Sequence, residues 1–228
     1  MASTNPKNVT IKGRLSFPRF SHRDAVAAND RSKFKKPDPN EVAPEFNLLI
    51  EQDQLDKLKD HIVNVFLPYV EQQVANKEKR DTLNPKLIQK IKEKIDAEDW
   101  DGSPFLPMKP VSEKNAEAAP EAVASVKITG SKGSDITLKA RVENEDQLLI
   151  PDPDILSWPT IVPLEKSIFQ MYAGAYVGAT LNLFAFESSS TINGISAGAN
   201  TAVYLGNLEG ARFGGGVDLD EADIFLDD

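Results

Sequence analysis

Residues 169–186 alternate with a period of two. Phe169, Met171, Ala173, Ala175, Val177, Ala179, Leu181, Leu183 and Ala185 fall on one side; Gln170, Tyr172, Gly174, Tyr176, Gly178, Thr180, Asn182, Phe184 and Phe186 fall on the other. That period is a strand's. One face is small and apolar, suited to a core, and the other carries aromatics, amides and glycines suited to contact. Counted from Ile168, the same stretch is nineteen residues without a charge, close to the roughly 20 apolar residues of a membrane-spanning helix. Gly174 and Gly178 weaken that alternative, and the alternation favours a sheet.

Residues 9–17 (VTIKGRLSF) repeat the pattern, with Val9, Ile11, Leu15 and Phe17 on one side and Thr10, Lys12, Arg14 and Ser16 on the other. This predicts a strand with a basic outer face, ended by Pro18. A polar, basic loop follows over 19–36, and its Phe20 and Phe34 either tuck into the fold or stand among cations on a flap. Residues 45–50 (EFNLLI) predict a short strand. Leu55, Leu58, Ile62, Phe66, Leu67, Val70 and Val74 recur at three- and four-residue steps, the spacing of an amphipathic helix. Pro68 should kink or divide it. Asn84 and Pro85 supply an N-cap and first-turn proline for a second helix carrying Leu87, Ile88, Ile91 and Ile95.

Further on, the low-complexity segment 112–125 predicts a mobile loop. Strands are expected at 125–129 and 135–142, with a short apolar run at 147–150. Residues 151–163 form an irregular connection carrying Trp158. A Gly- and Ser-rich loop over 188–200 precedes a closing strand at 201–205, and Gly214–Gly216 mark a hinge at the end of the folded part. The fold class is mainly β with helical insertions: one domain over 1–216, a helical insertion about 53–98, and a tail over 217–228.

Charge sharpens this picture. The chain of 228 residues carries a net −9, unevenly spread. Residues 1–36 hold nine Lys and Arg against Asp24 and Asp30, and the last eleven residues hold Asp218, Asp220, Glu221, Asp223, Asp227 and Asp228 with no base. Such ends attract each other, or the tail competes with an anionic ligand for the front. There is no cysteine and only His22 and His61, which excludes disulfides, thiolate zinc sites and a thiol nucleophile. The N-terminus has no secretory pattern, so the expectation is an intracellular protein, with no membrane partner.

Catalytic chemistry finds little support. Neither histidine lies in a motif, the glycines at 194, 198 and 206 lack the spacing of a phosphate-binding loop, and Asp152 and Asp154 beside prolines fit turn chemistry as well as a metal-dependent nuclease. Binding to single-stranded nucleic acid asks only for cations along a backbone track and aromatic faces for unpaired bases. The basic strand and loop supply Lys12, Arg14, Arg19, Arg23, Arg31, Lys33, Lys35 and Lys36, with Tyr172, Tyr176, Phe184 and Trp158 as stacking candidates.

The run YAGAYVGATLNLFAF, then NGISAGANTAVYL, FGGG and an acidic tail resembles the C-terminal half of bacteriophage single-stranded DNA-binding proteins of the acidic-tailed OB-fold type. The matching residues are Tyr172, Gly174, Tyr176, Val177, Asn182, Gly194, Ile195, Ala197 and Gly198; RLSFPRF and its basic loop are similar to the family's opening, while 80–130 is unmatched. The resemblance implies a five-stranded OB-fold barrel binding single-stranded DNA without sequence preference in phage replication and recombination, in the cytoplasm of the host bacterium. It implies no cofactor and no enzymatic activity. It also implies a tail (Asp218, Asp220, Glu221, Asp223, Phe225, Asp227, Asp228) that competes with DNA and docks on replication proteins, a polymerase or helicase-primase; a homodimer stays open. Combining both lines, the DNA-binding candidates are Lys12, Arg14, Arg19, Phe20, Lys33, Phe34, Lys35, Trp158, Tyr172 and Tyr176. The competing readings are a phage structural or scaffold protein and the nuclease.

Overall fold

Strand β1 (Asn8–Arg19) is long enough to pair with two different neighbours. Its first half runs antiparallel to β8 (Tyr176–Glu187), from Asn8 opposite Asn182 to Arg14 opposite Tyr176. Its second half pairs with β2 (Glu45–Ile50), from Arg14 opposite Leu49 to Arg19 opposite Glu45. Where β2 has ended, the buried Gln54 side chain takes over the edge: its Oε1 accepts from the Lys12 amide at 3.1 Å. The computed structural model describes residues 5–21, 40, 42–78, 80–139, 142–144, 147–148, 173–188 and 192–206.

Three more pairings close a barrel. β2 pairs antiparallel with β4 (Ala124–Thr129), β8 pairs antiparallel with β9 (Asn193–Gly198), and β4 meets β9 in parallel at Thr129 and Gly198. The ring is therefore β1–β2–β4–β9–β8 and back to β1. In chain order these are the first, second, third, fifth and fourth barrel strands, which is the OB-fold, a five-stranded, partly open Greek-key barrel. Strands β3 (Met108–Pro110), β5 (Thr137–Lys139) and β10 (Thr201–Gly206) extend the sheet beside β4, β10 and β8. A separate hairpin pairs β6 (Val142–Asn144) with β7 (Gln147–Leu148).

The alternation read from residues 169–186 governs β8. Ala175, Val177, Ala179, Leu181, Leu183 and Ala185 are buried, whereas Thr180, Asn182 and Phe184 are exposed. Residues 176–187 form a barrel strand, not part of a spanning helix, and no described helix is long and apolar enough to cross a membrane. Phe46, Leu48 and Ile50 of β2 lie beside Ile128, Val126 and Ala124 of the neighbouring β4, all in the core.

Helices α1 (Gln52–His61), α2 (Leu67–Ala75) and α3 (Pro85–Asp96) add Leu55, Leu58, Leu67, Val70, Ile88, Ile91 and Ile95 to the same core cluster. Pro68 divides the first helical pattern without breaking its course. A π-helical turn, Ile62–Phe66, separates α1 from α2, widening the helix where the proline ring would otherwise meet the preceding turn. Asn84 caps α3 as expected, its Oδ1 accepting from the Lys86 amide at 2.9 Å.

Two expected loops are built otherwise. Segment 112–125 contains α4 (Glu113–Ala118), capped by Ser112, and the start of β4, with Ala119 and Ala124 fully buried. Its Ala- and Glu-rich composition is that of a good helix former. Segment 188–200 contains β9, a barrel strand. Gly194, at φ 147, lets the chain at Phe105 pass so close that a Cβ would lie 2.1 Å from the Phe105 carbonyl oxygen. The Phe105 amide bonds the Asn193 carbonyl at 2.9 Å, and the Ile195 amide bonds the Phe105 carbonyl at 2.8 Å.

Candidate nucleic-acid interface

The end of β1 departs from regular alternation. Ser16 lies opposite Asn47 and Arg19 opposite Glu45, so three steps on β1 match two on β2. The extra residue is a β-bulge, which re-aims side chains. Phe17 takes it up at φ 49, a left-handed conformation that a bulky residue adopts at a cost. Pro18 therefore does not end the strand, and the parity beyond Ser16 is inverted. Phe17, expected in the core, is 59% exposed. Phe20 is buried with its ring centroid 5.4 Å from that of Phe46, so it is a core residue and not a stacking platform.

Phe17 stands where two concavities meet on the outer surface. One, of about 250 Å³, lies across β1, β2, β4 and β3 and is lined by Phe17, Arg19, Glu45, Phe46, Asn47, Lys109, Ser125 and Lys127. The other, of about 490 Å³, runs beside α4 and is lined by Ser16, Phe17, Pro18, Lys114, Asn115, Glu117, Ala118 and Ala173. In the first, three cations face one carboxylate. Glu45 holds Arg19 Nη1 at 3.3 Å through Oε1 and Lys127 Nζ at 2.6 Å through Oε2. All three side chains are a third or more exposed, so these pairs are weak and exchangeable. An incoming phosphate can replace Glu45 at both cations.

The other expected cluster does come together. Arg14 faces Tyr176 and Lys12 faces Gly178 across the β1–β8 pair. Its chemistry is different from that of a free basic face. Arg14 Nε lies 2.7 Å from Glu121 Oε1, and its Nη1 donates to the Ala118 carbonyl at 3.1 Å. Arg14 thus fastens the α4 segment to the barrel. The Tyr176 ring packs with Val203 and Leu205. Burial, followed by the charges of Glu51, Asp53 and Glu121, pushes its phenol up to about 12. This corner is therefore acidic as well as basic.

Of the sequence-derived candidates, Arg19 lines the cationic concavity, Lys12, Arg14 and Tyr176 sit on the adjoining face, and Phe20 is internal. Lys33, Phe34, Lys35, Trp158, Tyr172 and the acidic tail lie outside the described residues, as do Asp152 and Asp154. Among the described residues, no group of three or more His, Asp or Glu is placed to hold a metal ion. The structure adds Phe17, Lys109, Lys127 and Asn47, none of which was singled out for binding from the sequence. RLSFPRF carried the relevant signal, since it places a second Phe beside a proline where a strand must turn.

No protein-family model matches the chain, and no curated protein sequence does. Among solved structures, the chain is similar to the single-stranded DNA-binding protein from bacteriophage Enc34, at 14% identity and TM-score 0.48, over 95% of this chain and 90% of that one. The same phage protein in complex with single-stranded DNA matches at 13% identity and TM-score 0.48, covering 91% and 90% of the two chains. Gp2.5, a single-stranded DNA-binding protein encoded by bacteriophage T7, matches at 12% identity and TM-score 0.43, covering 89% and 93%.

Proposed function

We propose that this protein binds single-stranded DNA across the outer face of β1, β2, β4 and β3, through phosphates on Arg19, Lys109 and Lys127 and a base stacked on Phe17. The observation that carries the reading is Phe17 itself: an aromatic ring turned outward by a strained bulge, beside the partly exposed Arg19 and the exposed Lys109 and Lys127. Backbone strain of this kind costs about 1 to 3 kcal/mol and gathers at functional positions. The OB barrel supports the reading, since the outer face of its second and third strands, here β2 and β4, is where such barrels take oligonucleotides. Stacking tolerates any base, so binding on this face is sequence-independent, and the protein is a binding module without catalytic activity of its own.

Within this reading the acidic tail competes with DNA for the cationic face, joined through Gly214–Gly216 at high effective concentration, and is free for replication proteins once DNA displaces it. The protein's role is then to protect and organise single strands during phage replication and recombination in the host cytoplasm. The test is a salt-varied titration of the intact and tail-deleted (217–228) protein against single-stranded and duplex DNA of one sequence. The expected result is preference for the single strand, tightened by the deletion most at low salt. No binding to either DNA refutes the function; equal affinities of the two proteins at every salt concentration refute the tail's role alone.

A further inference from the structure

A separate cleft, of about 470 Å³, crosses β1, β8, β9 and the end of β4. None of its lining side chains is charged. Its centre is the row Asn8–Asn182–Gly198–Thr129, each residue facing the next across a strand pair. The exposed Phe184 ring lies against this floor: a Cβ on Gly198 would sit 3.6 Å from the ring and 3.2 Å from the Thr129 carbonyl oxygen. Glycine there keeps the floor low enough for a flat group to enter beside the ring.

The chemistry is selective. A phosphate would find no cation in this lining, whereas a nucleobase needs an aromatic face and uncharged donors and acceptors at its edge. Asn8 and Asn182, both exposed, offer amides of the kind that pair bidentately with adenine. Thr129 lies two residues along β4 from Lys127, about 7 Å away on the same face. The two clefts therefore lie along one path on the outside of the barrel.

We infer that this cleft is a second, charge-free subsite that takes one nucleobase of the bound strand, stacked on Phe184 with its edge read by Asn8 and Asn182. The inference rests on the single-strand reading above and adds to it a base preference and a salt-independent share of affinity.

Both can be read in one experiment. The full chain, Phe184→Ala, Asn8→Ala/Asn182→Ala and Lys109→Ala/Lys127→Ala are titrated against oligo(dA) and oligo(dT) at several salt concentrations, with thermal melts to confirm folding. Phe184→Ala should weaken binding by about 5- to 150-fold at every salt concentration, leaving the slope of log affinity against log salt unchanged. The lysine double variant should instead flatten that slope. Asn8→Ala/Asn182→Ala should lower the oligo(dA) to oligo(dT) affinity ratio. Wild-type affinity and ratio in both cleft variants, beside a flattened slope in the lysine variant, overturn the subsite and leave the function standing. Absence of binding by the full chain overturns both.

Discussion

Replacing Phe17 by glycine and, separately, by alanine separates two quantities that the bulge combines. Both substitutions remove the ring, which is mostly exposed. Both should cost the stacking of one base, about 1 to 3 kcal/mol of DNA affinity, or 5- to 150-fold. Their effects on stability should differ in sign from the ordinary order. In an extended strand, glycine is less stable than alanine by about 0.5 to 1 kcal/mol, because it loses more backbone freedom on folding. At φ 49, alanine keeps a left-handed penalty of about 1 to 2 kcal/mol that glycine does not have. Phe17→Gly should therefore exceed Phe17→Ala in stability by about 1 kcal/mol, the difference of those two terms. Urea denaturation of both variants gives the stability difference, and titration of a fluorescent single strand gives the affinities. Alanine more stable than glycine would refute the strained bulge; unchanged affinity in both would refute Phe17 as a stacking residue.

Glu45→Gln removes the carboxylate that holds Arg19 and Lys127, so single-strand affinity should rise a few-fold at low salt while stability changes by less than about 1 kcal/mol; unchanged or weaker binding would count against the cationic face. Gly194→Ala drives a Cβ into the Phe105 backbone at a φ of 147 and should destabilise the fold by about 2 to 4 kcal/mol in chemical denaturation, mainly through strain and overpacking; a near-neutral effect would mean the 101–107 segment is not bound to β9 as described. Tyr176, with its phenol raised from 10.0 to about 12 by burial and neighbouring acids, favours the fold in its neutral form. That contribution is complete below pH 10 and is lost as pH climbs towards about 12. The stability of wild type relative to Tyr176→Phe should accordingly fall over that window, and a pH-independent difference would contradict it.

Periodicity made most of the barrel legible. β2 has the bounds its sequence suggests, β8 buries the face that its small residues predict, and α3 begins at its Asn84–Pro85 cap. The failures share a cause: elements whose stability comes from neighbours instead of composition. β9 reads as a loop because NGISAG has glycine at two of six positions. It is a strand because β8 pairs with its whole length and Gly194 admits the chain at Phe105. Helix α4 reads as mobile because it is short and of low complexity, yet Arg14 ties its end to β1 through the Ala118 carbonyl and Glu121.

The site was less legible than the fold, for two physical reasons. Lys109 and Lys127 are distant in sequence from the basic front of the chain and reach Arg19 only through the β1–β2–β4–β3 pairing. More important, a period-two assignment holds only until one residue leaves the extended region. Alternation over residues 9–17 places Phe17 in the core and leaves Phe20 to the loop beyond Pro18, and a residue before proline is ordinarily held extended. The bulge at Phe17 inverts that parity, so the two rings exchange roles. The rule that mispredicts Phe17 also makes its conformation informative: a phenylalanine before proline has an extended alternative, and in this fold it stands outward beside three cations instead.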